Sequence, residues 1–296
     1  VWPKSVGRLN MNVIEISRAP NIAQLARSAL CASRKRPGVV AELPAVQLVH
    51  NDVRLDAAHI QRYTALCGFS PAQGVPLIYP QMLTFPLVTT YLTSADCPWP
   101  AMGTVHLANR IEQLHSLHAN DRVRVEMSTG ALQAHAKGQV FNLELAIWRD
   151  DQLVWRATQS LLRLAVANPT GEPFSAADNE PAVLTCQAGF IAASNIGRRY
   201  GRVSGDHNPI HLSALSAKAL GFPRALAHGM WSKARALACV LPQHELEAAT
   251  VQVEFKAPVF LPAQVCLWAH REKTGAQFEL RDNKGQRIHL RGQLDY

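Results

Sequence analysis

The segment Arg62-Tyr63-Thr64-Ala65-Leu66-Cys67-Gly68-Phe69 returns 137 residues later as Arg199-Tyr200-Gly201-Arg202-Val203-Ser204-Gly205-Asp206, with an Arg, a Tyr, a branched aliphatic and a Gly held in place. A second echo lays Thr104 to Arg110 over Thr250 to Lys256 at an offset of 146, and both stretches open an alternating strand pattern. More alternating stretches follow, Arg122 to Met127 and Asn142 to Trp148 in the first copy, Gln264 to Ala269 and Gln277 to Arg281 in the second. Each copy thus reads as a helix followed by antiparallel strands. The chain is predicted to be two tandem α+β units, in keeping with its 296 residues. Breakers cluster from Asn168-Pro169 to Glu180-Pro181 and mark a linker over 168–181. The expected organisation is an arm over 1–45, a first unit over 46–167, the linker, and a second unit over 182–296.

Hydrophobic residues make up 48% of the chain and charged residues 18%, which excludes long disorder. The most apolar windows are broken by Arg27, Glu42 and Pro44, so no membrane span is expected. No secretory signal pattern is read at the start, and the six cysteines are far apart without a Cys-x-x-Cys pair. A soluble, cytoplasmic protein is the expectation. The net charge of +8 is concentrated: residues 1 to 41 hold seven Lys/Arg against Glu15 alone, leaving 23 basic and 21 acidic residues in the body. A mixed body needs no polyanion, and no nucleic-acid partner is expected. In the arm, Ile22, Leu25, Ala26, Ala29 and Leu30 recur at helical spacing and Arg34-Lys35-Arg36 then Pro37-Gly38 close the run. A docking helix is the simplest reading; a phosphate- or carrier-binding arm and an organelle presequence are the alternatives.

The chemistry is concentrated in Tyr200 to His211 and in Ala227-His228-Gly229-Met230-Trp231. Pro209 is expected to keep 206–211 out of a regular helix and to hold Asn208 extended, so that Asp206 and His211 project from a stiff loop. A carboxylate and an imidazole aimed at one target suit general acid/base work on water, with Asn208 bonding the carboxylate or the loop backbone. A helix is predicted from Leu212 to Leu220, stopping at Gly221, and another from Gly229 with Met230, Ala234, Leu237, Ala238 and Leu241 on its apolar face. The first N–H groups of that helix lack intrahelical partners. The Gly229 N–H, unobstructed by a side chain, suits a carbonyl oxygen gaining negative charge.

These residues carry a resemblance to the MaoC-like dehydratases, or (R)-specific enoyl-CoA hydratases, a family with the hotdog fold. Its signature reads aromatic, two or three residues, Ser-Gly-Asp-x-Asn-Pro-aliphatic-His and a small residue six further on, followed by a His-Gly-Met element. Residues 200 to 217 and 227 to 230 satisfy it. The resemblance implies Asp206 and His211 as the catalytic pair and Gly229 as oxyanion donor, with Asn208, Ser204 and Tyr200 in support. It also implies a tandem double-hotdog chain whose first half is non-catalytic and pairs with the second as a pseudo-dimer, as a monomer or homodimer. The repeat register agrees: Phe69 stands where Asp206 stands, the segment Tyr63 to Met82 is 11 residues shorter than Tyr200 to Met230, and Pro80-Gln81-Met82 replaces His228-Gly229-Met230. Where some relatives carry a serine two turns after the His-Gly-Met glycine, this chain has Leu237.

The expected reaction is reversible hydration of trans-2-enoyl thioesters to (R)-3-hydroxyacyl thioesters of CoA or an acyl carrier protein. Arg198, Arg199 and Arg202 are candidate phosphate contacts, otherwise solvated charges, and Phe69, Met82 and Leu83 are candidate lining of the acyl site. Neither metal nor cofactor is expected, since Pro209 denies His207 and His211 a shared helical face and no third ligand has a defined spacing. His228 reads as a hydrogen-bonded structural histidine. A non-catalytic acyl- or nucleic-acid-binding module is the alternative of another class; it has no need of both Asp206 and His211.

Overall fold

The computed structural model describes residues 12–16, 38–175 and 182–296. The predicted arm helix, with Arg34-Lys35-Arg36, lies outside the described residues, as does the end of the linker. One short piece of the arm, β1 (Asn12–Glu15), runs parallel to β2 (Val46–Arg54).

The first unit continues with α1 (Ala57–Cys67), α2 (Pro80–Thr93), β3 (Thr104–Gln113), β4 (Arg122–His135), β5 (Gly138–Arg149) and β6 (Gln152–Leu164). A two-residue strand, β7 (Glu172–Pro173), pairs with β4. The second unit has β8 (Thr185–Ala192), α3 (Ile196–Ser204), α4 (Pro209–Leu212), α5 (Ala214–Ala219), α6 (Gly229–Val240), β9 (Ala249–Phe255), β10 (Ala263–Glu272), β11 (Gly275–Asp282) and β12 (Ile288–Asp295). The expectation of two helix-plus-antiparallel-sheet units is met, and the two sheets are one. The strand order is β1-β2-β4-β5-β6-β3-β9-β12-β11-β10-β8, and the units join where β3 pairs antiparallel with β9. Ala108 and Glu254, superposed by the 146-residue offset, are themselves a register pair.

The repeated Arg-Tyr-Gly segment has a physical origin. Gly68 and Gly205 each cap a helix, α1 and α3, in the left-handed conformation at φ 75° and 78°, which glycine adopts without a Cβ penalty. The repeated tyrosines, Tyr63 and Tyr200, are buried with ring centroids 6.3 Å apart. Helices α2 and α6 are the central ones. Most residues of α6 are buried, among them Trp231, Ala234 and Leu237, and α2 buries Met82, Leu87, Val88 and Tyr91, as a helix that is apolar nearly all round must. One buried cluster runs through both units, from Leu48 and Trp155 to Phe278 and Leu294.

The helix predicted from Leu212 to Leu220 is present but starts two residues later, as α5, with Leu212 ending the preceding turn α4. Ser213 is extended and its hydroxyl accepts from the Ser216 N–H at 3.1 Å, starting α5 afresh; a serine that caps competes with helix continuation.

Candidate active site

The loop after α3 is built by short-range hydrogen bonds. Asp206 N–H donates to Ser204 Oγ at 3.2 Å, and Asn208 N–H donates to Asp206 Oδ1 at 3.0 Å. The loop folds back so closely that a Cβ on Gly201 would sit 2.8 Å from the Asp206 carbonyl oxygen. Asn208 Oδ1 accepts from the Ile210 N–H at 3.3 Å and caps α4. Here the structure corrects the sequence reading in part. Residues 206–208 stay out of helix and Asn208 is extended at ψ 124°, as expected, but Pro209 begins a helical turn, because the first helical position has no use for an N–H. Asp206 therefore comes from the loop and His211 from a single helical turn. The carboxylate is oriented by the Asn208 backbone, while the Asn208 side chain serves the cap.

His211 Nδ1 lies 2.9 Å from the Leu226 carbonyl. That oxygen can only accept, so Nδ1 carries the proton and Nε2 keeps its lone pair. The ring stacks on His228, with centroids 3.7 Å apart and planes at 28°. His228 Nε2 donates to the Asp206 carbonyl at 3.1 Å and lies 3.7 Å from Asp206 Oδ2. Tyr200 packs on the His228 ring at 4.9 Å, and its hydroxyl reaches Met82 Sδ at 3.8 Å. Burial pushes the His211 pKa down, against the pull of Asp206 and the Leu226 carbonyl. Burial, reinforced by His211, lowers that of His228 to about 4. At neutral pH both rings are neutral and His211 is free to accept a proton.

Helix α6 begins at Gly229, as predicted, and its N-cap, His228, makes no side-chain cap bond. The first N–H groups therefore remain free of intrahelical and capping partners, on the segment that carries His228. A Cβ on Gly229 would lie 3.1 Å from the Phe255 ring. Phe255 in turn packs on His106 of the first unit, centroids 4.9 Å apart, and His106 Nε2 is buried without a hydrogen-bond partner.

Of the other residues singled out in the sequence, Arg198, Arg199 and Arg202 are exposed on α3, with Arg198 Nη1 donating to the Leu212 carbonyl at 3.1 Å. Met82 touches α3 through the Tyr200 hydroxyl. Phe69 is in the core, stacked on Tyr63 at 6.4 Å, and Leu83 packs half-buried against the same core. His228 is hydrogen-bonded, as expected, through its contact with the Asp206 carbonyl, but sequence reasoning missed its stack on His211, and it missed Phe255 and His106 as neighbours of the site. It also passed over Lys233, whose signal was legible, since a lysine three residues after Met230 and four before Leu237 lies on a face otherwise apolar.

His228 also supplies the third ligand type that spacing did not reveal: Asp206, His211 and His228 each offer an atom within 4.8 Å of the others. The arrangement suits proton transfer better than an ion. Stacked rings direct their in-plane lone pairs side by side rather than to one point, and His228 Nε2 is engaged with the Asp206 carbonyl.

Residues 176–290 match the MaoC like domain family. The chain is 32% identical over 241 residues to 3-hydroxyacyl-thioester dehydratase X of Mycobacterium tuberculosis, covering 81% of this chain and 86% of that protein. The crystal structure of HtdX from the same organism superposes with a TM-score of 0.71 at 29% identity, over 84% of this chain and 98% of that one. A further Mycobacterium tuberculosis protein, described as a double hotdog fold, shares the architecture at a TM-score of 0.53 and 12% identity, over 83% of this chain and 94% of that one. No helix among the described residues is long and apolar enough to cross a membrane. With a relative at this identity spanning most of both chains, the protein belongs to the MaoC-like dehydratases, in the double-hotdog form.

Proposed function

We propose that the protein catalyses the reversible hydration of trans-2-enoyl thioesters to (R)-3-hydroxyacyl thioesters in fatty acid metabolism, with CoA as the thioester handle. The observation that carries this reading is the convergence of Asp206 and a neutral His211 in one cluster next to the start of α6. In the hydration direction, Asp206 orients a water and His211 Nε2 receives its proton as the oxygen adds to C3. The proton then reaches C2 from the same pair, so the elements of water are added and nothing else is consumed. The negative charge that gathers on the thioester oxygen is met by the Gly229 N–H. The thioester is itself the electron sink, so the reading includes neither metal nor cofactor. Ser204, Asn208 and Tyr200 hold the pair in place, Arg198, Arg199 and Arg202 meet phosphates of the handle, and Met82, Leu83 and Phe69 shape the acyl end.

The second reading is dehydration of 3-hydroxyacyl chains on a carrier protein, which the exposed arginines of α3 and the basic arm would equally serve. The site chemistry is common to both. The relative named as a 3-hydroxyacyl-thioester dehydratase supports the reaction class. The experiment is to follow loss of enoyl-thioester absorbance with the purified protein and matched CoA and carrier-protein esters, and to resolve the stereochemistry of the product. No turnover of either ester rejects the proposal; turnover of carrier esters alone selects the second reading.

A further inference from the structure

Lys233 has no exposed surface at all. It lies on α6 one turn after Gly229, on the same side of the helix. Its Nζ donates to Asn109 Oδ1 at 2.6 Å and to the Asn109 carbonyl at 3.3 Å. Burial drives its pKa far below that of an ordinary lysine, with no opposing charge to hold it up. The donors of the amine are aimed at one residue and meet the two acceptors that Asn109 supplies.

Asn109 belongs to β3, the strand of the first unit that forms the seam, and is itself fully buried. Its Nδ2 faces Gln81 Oε1 and the Thr158 carbonyl, both at 3.4 Å, and Gln81 Nε2 donates to Gln159 Oε1 at 3.1 Å. Gln81 holds in the first unit the place that Gly229 holds in the second. The network thus runs from the first unit's central helix α2, through strand β3, to the first turns of the second unit's central helix.

Such a network is a poor way to gain stability. A buried amine must be desolvated, and an apolar side chain of similar volume commonly serves as well or better. What directional hydrogen bonds supply and apolar packing does not is a fixed rotation and height of one element against another. Phe255 bears on Gly229 from β9, and the Asn109 tie holds the next turn of the helix to β3.

We propose that Lys233 is a positioning residue for the hydratase reaction: its two hydrogen bonds to Asn109 fix the start of α6 against the first unit and so fix the direction of the Gly229 N–H. The half of the chain without an acid/base pair then takes part in catalysis through β3. The proposal rests on the hydratase reading for its kinetic consequence, but its structural consequence can be read without turnover.

The test combines Lys233→Met, Asn109→Leu, the double variant and Asn109→Asp. Lys233→Met and Asn109→Leu are each expected to lower kcat by ~10- to 100-fold, with KM within about threefold of wild type, as for a small misplacement of a catalytic group. The double variant should be no slower than the slower single. Asn109→Asp, which keeps an oxygen opposite Nζ, should recover most of the kcat that Asn109→Leu loses. In parallel, protein labelled with 15N-glycine reports the Gly229 amide resonance, assigned by its loss in Gly229→Ala, and that resonance should move in Lys233→Met. A kcat near wild type, losses that multiply, losses in proportion to a fallen Tm, failure of Asn109→Asp to rescue, or an unmoved Gly229 resonance would each overturn the proposal. Should wild type turn over no enoyl thioester, the hydratase reading fails by itself and the Gly229 resonance decides the positioning role.

Discussion

The ring of His211 lies against that of His228 with centroids 3.7 Å apart, while His228 Nε2 holds the carbonyl of Asp206. One neutral imidazole thus braces both Asp206 and His211: it backs the ring of one and fastens the backbone of the other. Placing a positive charge on either ring is opposed by burial, and for His228 by the neighbouring ring as well. This stack ties the chemistry of the site to pH and to folding together.

Asp206→Asn and His211→Ala should each reduce kcat by at least ~100-fold, the lower range for a positioned acid or base. Circular dichroism should show the fold intact in both, because neither side chain belongs to the hydrophobic core. Steady-state hydration by the purified variants checks this; near-normal turnover by either removes that residue from the mechanism.

Hydration should depend on His211 being unprotonated. Burial places its folded pKa below the ordinary 6.5, so on this limb kcat/KM rises with pH, with its half-maximal point below pH 6.5, and falls in more acidic solution. A profile of kcat/KM from pH 4.5 to 8 checks the sign. Activity that grows as the pH drops below 6 contradicts a neutral base.

Stability should follow the same direction through His228. Its folded pKa, lowered to about 4, means that the unfolded chain takes up a proton near pH 6.5 that the folded chain refuses until about pH 4. The contribution is complete above 6.5 and is lost as pH falls across that window, at up to ~1.4 kcal/mol per pH unit for one group. Urea unfolding at pH 7, 6 and 5 should show steadily lower midpoints; constant or rising midpoints would count against it.

Gly229→Ala should lower kcat by ~10-fold or more, since the added methyl meets the Phe255 ring at 3.1 Å and displaces the donor. Adding Phe255→Leu should return part of the loss by making room. If the second substitution restores nothing, crowding by Phe255 is not the cause.

Met82→Ala and Leu83→Ala, made separately, should shift the preferred acyl length upward if these side chains bound the acyl end. A core role alone would instead give a uniform decline in kcat/KM with a loss of roughly 2–5 kcal/mol of stability for a large-to-Ala change at a buried site. Measuring kcat/KM over acyl lengths beside Tm separates the two, and an unchanged length preference places the pocket elsewhere.

Charge reversal of Arg198, Arg199 and Arg202 together should raise KM by ~10-fold or more with kcat retained, the scale of one lost charge-assisted contact. A larger rise for carrier-protein esters than for CoA esters would favour the carrier reading. Unchanged KM for both would leave these arginines as solvated charges.

What the sequence determined by itself was whatever depends on neighbours along the chain. The repeated glycines at 68 and 205, the strand alternation and the start of α6 at Gly229 are local features and were legible in order, although that the two glycines cap helices emerged only from the backbone. The pairing of Asp206 with His211 was legible too, because five residues of loop and one proline leave few ways to separate them. Even there, Pro209 both holds Asn208 extended and opens the single helical turn that carries His211. Tertiary structure alone decided what crosses the chain. The stack of His228 on His211 joins residues 17 apart across a loop and a helix break, and no periodicity encodes it. Lys233 was visible as a charge on an apolar face, but its partner, Asn109, lies 124 residues away on the other unit. The continuous sheet through β3 and β9 has the same origin. Two edge strands carry unpaired N–H and C=O groups that call for partners, and which edge satisfies which is settled only when both units are folded.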